Sequence, residues 1–278
     1  MKVLGMAGGV LLTLLAVALV GLRIRPRPFA RYEPRSGEVK TVPLQEGLPA
    51  PVARFYRMLY GDAVPVVESA VITGRGPLRI RGISFPGRFR FVHLAGEGYR
   101  HYIQATFFGL PVLTVNERYL SGTSFFETPF GVIDNTPKVN QGANLGLWGE
   151  TIWYPAALMT ESGVRWEPVD TTTAVLVVPF AGGGPGPFGE QDQRFIARFD
   201  PVTGLLRFLE SMRYKGEQAE DKTLWINEAL SWSEVDGHRL PLVGAVTWFD
   251  EGTPWAVFTV EDIVLNVDVS EAIRAAGP

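Results

Sequence analysis

Glu150 is the carboxylate best placed to do chemistry. Trp148 precedes it, and Trp153 and Tyr154 follow, in the most aromatic stretch of the chain. A carboxyl among aromatic rings is open to desolvation, which raises its pKa and suits it to general acid or base work. The same residue also fits an exposed helix end, or a structural hydrogen bond to an indole N–H. Asn140, Gln141 and Asn144 stand just upstream. Their amides can hold the polar head of a ligand, or cap a helix and satisfy sheet edges. The three histidines, His93, His101 and His238, form no HxxxH, HExxH or HxH pattern. A metal centre would have to be assembled from distant segments, so they read as satisfied or solvated side chains, and no metal or cofactor is expected.

Other chemistry is excluded or unsupported. The chain has no cysteine, which removes disulfides, thiol catalysis and zinc–thiolate sites. No hydrolase elbow and no dinucleotide fingerprint are present. The run Gly182-Gly183-Gly184-Pro185-Gly186-Pro187-Phe188-Gly189 lacks the lysine of a phosphate-binding loop and reads as a hairpin connection. Glu217, Glu220 and Asp221 read as a solvated loop.

The elements that must position these residues are mostly strands. Arg88-Phe89-Arg90-Phe91 alternates strictly, so both Phe side chains face a core and both Arg side chains face water. Strand-like runs cover 66–74, 77–85, 98–108, 111–120 and 123–133, then 164–168, 172–180, 193–200, 204–215, 222–234, 239–250 and 254–268. Asp236-Gly237 between two apolar runs is a hairpin signal. An amphipathic helix fits 50–60, where Pro51 suits the first turn. The stretch 137–160 breaks the two-residue period and reads as a helical insertion. Gly142, Gly146 and Gly149 would weaken that helix, by about 1 kcal/mol each relative to Ala, and suggest close approach to other backbone or a partly irregular segment. The fold expected is mainly β: a large curved antiparallel sheet or partly open β-barrel with a short helical insertion, plus an N-terminal transmembrane helix. The segments are an anchor at 1–22, a basic Pro-rich linker at 23–48, a β domain at 49–269 and a tail at 270–278, a short helix or a frayed end.

The anchor follows from Val3 to Leu22, a run without one charge. As a helix it is about 30 Å long, the thickness of a bilayer's hydrocarbon core. A signal-peptide cleavage after Ala16-Val17-Ala18 competes, but that site lies inside the apolar run. Arg23, Arg25 and Arg27 then form a basic flank suited to anionic headgroups, and the side of the membrane stays open. The formal charge of −3 hides a division: residues 1–35 hold six basic residues and one acid, hence +5, leaving −8 on the remainder. That balance argues against a nucleic-acid partner.

Leu48-Pro49-Ala50-Pro51-Val52-Ala53-Arg54, Asn140-Gln141-Gly142, Trp148-Gly149-Glu150, Trp153-Tyr154-Pro155-Ala156-Ala157-Leu158 and Val164-Arg165-Trp166-Glu167-Pro168, in that order and spacing, resemble a bacterial membrane-anchored family catalogued as a domain of unknown function. The resemblance spans about 48–268. It brings no activity with it, and it implies that 140–158 and 164–168 form the region to test. Asn140, Gln141, Asn144, Trp148, Glu150, Trp153, Tyr154 and Trp166 are the candidate ligand-binding residues. The function expected is binding of an apolar or amphipathic, lipid-like molecule in the concave face of the sheet. Two alternatives stand beside it: an enzyme using Glu150 as general acid or base, and a non-catalytic envelope module that binds another protein.

Overall fold

The two-residue alternation becomes an almost unbroken series of hairpins. The computed structural model describes residues 2–34, 39–128, 131–235 and 238–277, with backbone alone for 2–8 and His238. The chain opens with α1 (Lys2–Gly21), β1 (Thr41–Pro43), α2 (Ala50–Tyr60) and β2 (Ala63–Pro65). A first meander follows: β3 (Ser69–Ile80), β4 (Ile83–Leu94), β5 (Gly98–Phe107), β6 (Leu110–Leu120), β7 (Thr123–Thr128) and β8 (Gly131–Asp134). The insertion holds α3 (Pro137–Gly149), a 3-10 turn (Glu150–Trp153) and α4 (Ala157–Thr160). A second meander comprises β9 (Arg165–Pro168), β10 (Thr173–Val177), β11 (Arg194–Phe199), β12 (Leu206–Arg213), β13 (Thr223–Val235), β14 (His238–Trp248) and β15 (Ala256–Leu265).

All but β1 and β2 join one antiparallel sheet of 13 strands, in the order β8-β7-β6-β5-β4-β3-β15-β14-β13-β12-β11-β10-β9. The pairing of β15 with β3, through Ile263 opposite Ile72, joins the two meanders. The sheet is mainly β as expected, but it does not close as a barrel, because β8 and β9 remain edges. What closes the curve instead is α3. It packs on β5, β6 and β7 of one wing and on β12 of the other. The buried amide of Asn144 ties the wings together: it accepts from Tyr119 Oη of β6 at 2.9 Å and donates to the Pro179 carbonyl at 3.0 Å and to Gln193 at 2.7 Å. One hydrophobic core fills the concave side, where α2 inserts Phe55 against Phe199 and Trp232.

Three hairpins turn on residue pairs with both φ positive: Arg81-Gly82 (49° and 83°), Phe108-Gly109 (51° and 74°) and Ser121-Gly122 (48° and 85°). These angles match the twist of the flanking strands. The first of them corrects the strand boundaries expected at 66–74 and 77–85. Pro77 and Pro86 resemble strand breakers, yet they face each other inside β3 and β4. Their missing N–H groups cost little there, because β15 pairs no residue with Pro77 and the β4–β5 ladder begins at Gly87. The strands around Asp236-Gly237 pair Val235 with His238; the turn itself lies outside the described residues. The hairpin connection expected of the glycine-rich run is present, since β10 pairs with β11.

The convex side carries the linker. Arg88 and Arg90 point outward as expected, but with Arg75 they meet chain rather than water, the three donating to the carbonyls of Arg27, Ala30 and Pro26. Phe29 lies beneath the guanidinium groups of Arg88 and Arg90 and against Tyr102. The described part of the linker up to residue 34 is therefore strapped to the sheet; Arg35 lies outside the described residues. The tail is pinned as well, not frayed. Buried Arg100 donates to the carbonyls of Ala272 and Gly277. At the far end of the strap, Phe108 N–H donates to the Gly21 carbonyl at 3.0 Å and caps α1.

Helix α1 is 20 residues long. From Val10 to Val20 its apolar side chains lie open, Leu11 at 69% and Leu12 at 68% exposure. Side chains are described from Gly9 onward, and among the described residues no helix is long and apolar enough to cross a membrane.

Candidate functional site

Adjacent strands β4 and β5 supply the first two residues. Phe91 lies opposite His101, and His93 lies opposite Tyr99. All four therefore share one face, and the two histidines are diagonal neighbours, 5.8 Å between ring centroids. The 3-10 turn after α3 brings Glu150 down onto them. Its Oε2 is 2.5 Å from His101 Nε2 and 3.3 Å from His93 Nε2. From β6, Glu117 Oε2 stands 3.6 Å from His101 Nδ1, and Glu117 also accepts a hydrogen bond from the Tyr99 hydroxyl.

Burial and mutual charge set the protonation of this cluster. Burial alone would lower the pKa of His101, but Glu150 and Glu117 outweigh it and raise it to about 9. Burial pushes the Glu150 carboxyl up, against the pull of His101. Glu117 is lowered: burial raises it, and the bonds to His101 and Tyr99 win. His101 therefore carries a proton between two carboxylates at neutral pH. His93 is fully buried, and burial first, then the neighbouring His101, hold it well below the usual histidine range. Its two ring nitrogens make no hydrogen bond. The expectation of satisfied or solvated histidines holds for His101, which is bonded to Glu150, and fails for His93. His238 has no described side chain.

Tyr99, His101, Glu117 and Glu150 of the cluster form one end of a cavity of about 230 Å³, with His93 behind them. Phe91, Trp225, Trp248, Trp255 and Phe258 wall it, and it reaches exposed Lys215 at its outer end. Arg213 lies along the wall. Its guanidinium is 4.5 Å from the centre of the Trp225 ring and 5.4 Å from that of Trp248. Its Nε is buried without a partner. The glycines of α3 make this possible. A Cβ at Gly142 would stand 3.0 Å from Arg213 Nη2, one at Gly146 3.3 Å from the Tyr99 hydroxyl, and one at Gly149 2.8 Å from Asn227 Nδ2 and from the Trp225 ring. Close approach accounts for these glycines, but to side chains rather than to backbone: the Tyr214 carbonyl beside Gly142 is the one backbone atom among their nearest contacts.

Of the candidate ligand-binding residues named from the sequence, Glu150 alone lines this cavity. Asn140 accepts from Ser124 of β7. Gln141 donates to the Met212 carbonyl and accepts from Tyr214 N–H. Trp148 Nε1 donates to the Pro179 carbonyl. Trp153 packs behind Phe91, and Tyr154 against His93. Trp166 lies on edge strand β9 near Phe199, away from the cluster. The residues missed were His93, His101, Glu117, Tyr99 and Arg213. One signal was available: the alternation Tyr99, His101, Ile103 places a histidine among core-facing residues, where an imidazole needs a partner.

The model of a family of unknown function, DUF6544, matches residues 38–260. No curated protein matches the chain. Among solved structures, a LolA superfamily protein from Nitrosomonas europaea aligns at 10% identity and TM-score 0.46, covering 80% of this chain and 96% of its own. A DUF1329 family protein from Desulfovibrio piger aligns at 12% identity and TM-score 0.43, covering 76% and 91%. A putative outer membrane lipoprotein-sorting protein domain from Vibrio parahaemolyticus aligns at 11% identity and TM-score 0.42, covering 80% and 92%. These likenesses are too distant to carry a function across.

Proposed function

The chain belongs to DUF6544, a family of unknown function, and from its site we propose that it binds an amphipathic small molecule. The carrying observation is the cavity, with aromatic walls and a charged inner end made by His101, Glu150, Glu117 and Arg213. The ligand's apolar body packs on Trp225, Trp248, Trp255 and Phe258. Its polar end meets the charged groups, where the stacked guanidinium of Arg213 is already oriented for an acidic head. Displacement of a dansyl-labelled fatty acid tests this. The full chain should bind the probe, and Val139→Trp, which narrows the cavity from α3 without touching the charged groups, should weaken binding at least about tenfold. No binding by the unmodified chain, or equal binding by the variant, overturns the reading.

Membrane attachment is the second part of the proposal. Among the described residues, none covers the large apolar side chains of α1 between Val10 and Val20. Residues 3–22 would sit in the bilayer, with Arg23, Arg25 and Arg27 among its headgroups. The full chain should stay with membranes through a high-salt wash and leave with detergent. A chain lacking 2–22 should be released by salt alone; equal behaviour of the two sinks the anchor.

General acid–base chemistry through Glu150 is a second reading. It is favoured by the burial of that carboxyl and its 2.5 Å contact with His101. Mass spectrometry of lipid extracts incubated with the chain or with Glu150→Gln decides it: a species consumed only by the unmodified chain supports catalysis, and identical extracts end it.

A further inference from the structure

We propose that His93, His101 and Glu150 form a binding site for a divalent transition-metal ion of the zinc class. The proposal stands apart from the amphipathic-ligand reading and needs no ligand. One donor atom from each residue lies within 4.8 Å of the other two. Two imidazoles and one carboxylate form the donor set of many catalytic zinc and non-haem iron sites, which keep further positions open. Here the open positions would face the cavity, which His101 and Glu150 line.

Three observations separate this arrangement from a hydrogen-bonded cluster. The first is His93. It is 0% exposed, and neither ring nitrogen has a hydrogen-bond partner. An apolar side chain would suit that position without the desolvation cost of an unpaired imidazole, whereas a metal would use the Nε2 lone pair. The second is spacing. Bonds of about 2 Å at tetrahedral angles put donors roughly 3.3 Å apart. His93 Nε2 and Glu150 Oε2 already stand at 3.3 Å. His101 Nε2, at 2.5 Å from the same oxygen, has to retreat by less than about 1 Å. The third is Glu117. Its carboxylate lies 3.6 Å from His101 Nδ1, on the ring edge opposite Glu150. A carboxylate there keeps a proton on Nδ1, so the proton released to solvent on metal binding is the one on Nε2, which then ligates, as the outer partners of metal-bound histidines ensure. Tyr99 in turn donates to Glu117 and orients it.

The test uses the full chain in detergent, stripped with a chelator and titrated with Co2+, whose visible d–d band reports coordination by nitrogen and oxygen. One ion per chain should bind with a band of low-symmetry, four- or five-coordinate character, and Zn2+ should displace it. His93→Gln and Glu150→Gln should abolish the band. Glu117→Gln, a positioning variant, should keep the band and weaken binding roughly 10–100-fold. Glu220→Gln, in a remote loop, should change nothing. Absence of the band in the unmodified chain overturns the proposal, as does equal affinity in folded His93→Gln. If that variant does not fold, the unmodified chain and Glu117→Gln decide: unaltered affinity in Glu117→Gln removes the assigned geometry. A cobalt band without fatty-acid binding keeps the metal site and removes the amphipathic-ligand reading. Fatty-acid binding without the band does the reverse.

Discussion

Asn144 illustrates how a polar residue beside a site can serve the fold. Its amide makes four hydrogen bonds: two accepted, from Tyr119 Oη and Ala181 N–H, and two donated, to Pro179 and Gln193. From α3, one reaches β6 and three reach the connection between β10 and β11, in wings of the sheet that share no strand pairing. Asn144→Ala leaves several buried groups unpaired at about 1–3 kcal/mol each, so a loss of roughly 3 kcal/mol or more in urea unfolding is expected. Unchanged stability with weakened ligand binding would return Asn144 to the list of ligand contacts. The motif Asn140-Gln141-Gly142 has the same character. Its amides satisfy β7 and the segment after β12, and its glycine admits Arg213.

At the scale of elements, α3 trades helix propensity for contact. Gly149→Ala would gain up to about 1 kcal/mol of propensity. It would also drive a Cβ to 2.8 Å from Trp225 and Asn227 of β13. Overpacking of this kind costs about 1–3 kcal/mol, so a net destabilisation is expected in denaturant melts. A gain in stability would mean that β13 yields easily and that the glycine serves another purpose. The linker strap makes a separate prediction. Phe29→Ala removes the ring beneath Arg88 and Arg90. Trypsin should then cut after Arg31 at least several times faster, with the core strands unaffected. Equal cleavage rates would show that the arginine–carbonyl bonds hold the strap unaided.

At the scale of the molecule, buried tyrosines couple stability to alkaline pH. Burial raises Tyr56, Tyr119 and Tyr154 above the usual phenol range. The unfolded chain loses these protons near pH 10, while the folded chain keeps them. Above about pH 10 the native state therefore binds more protons, and stability falls with rising pH, by up to about 1.4 kcal/mol per unit for each group. Absorbance at tyrosinate wavelengths should rise in one step together with the loss of far-UV circular dichroism. Reversible ionisation of these residues near pH 10 in a folded chain would contradict their burial.

Local chemistry determined much of this protein without help from tertiary contacts. Period-two alternation dictated a mainly antiparallel β chain, and the break at 137–160 marked the helical insertion, because side-chain direction follows backbone period alone. Pro51 and the apolar face of Ala50–Tyr60 were enough to specify α2. Glu150 was legible as a carboxyl open to burial, since its aromatic neighbours are adjacent in sequence, but an exposed helix end fitted it as well. Its partners were not legible. His93, His101 and Glu117 arrive from β4, β5 and β6, and their meeting depends on strand register. A shift of one residue would turn both histidines to the convex face. The same holds for Pro77 opposite Pro86, which looks like two breaks until the ladder shows where the missing N–H groups fall. Arg88 and Arg90 were correctly sent outward by alternation, but only the folded chain brings the linker across to meet them. Pattern decides which face a side chain takes; register and long-range packing decide what it meets there, and the chemistry of this site lies in those meetings.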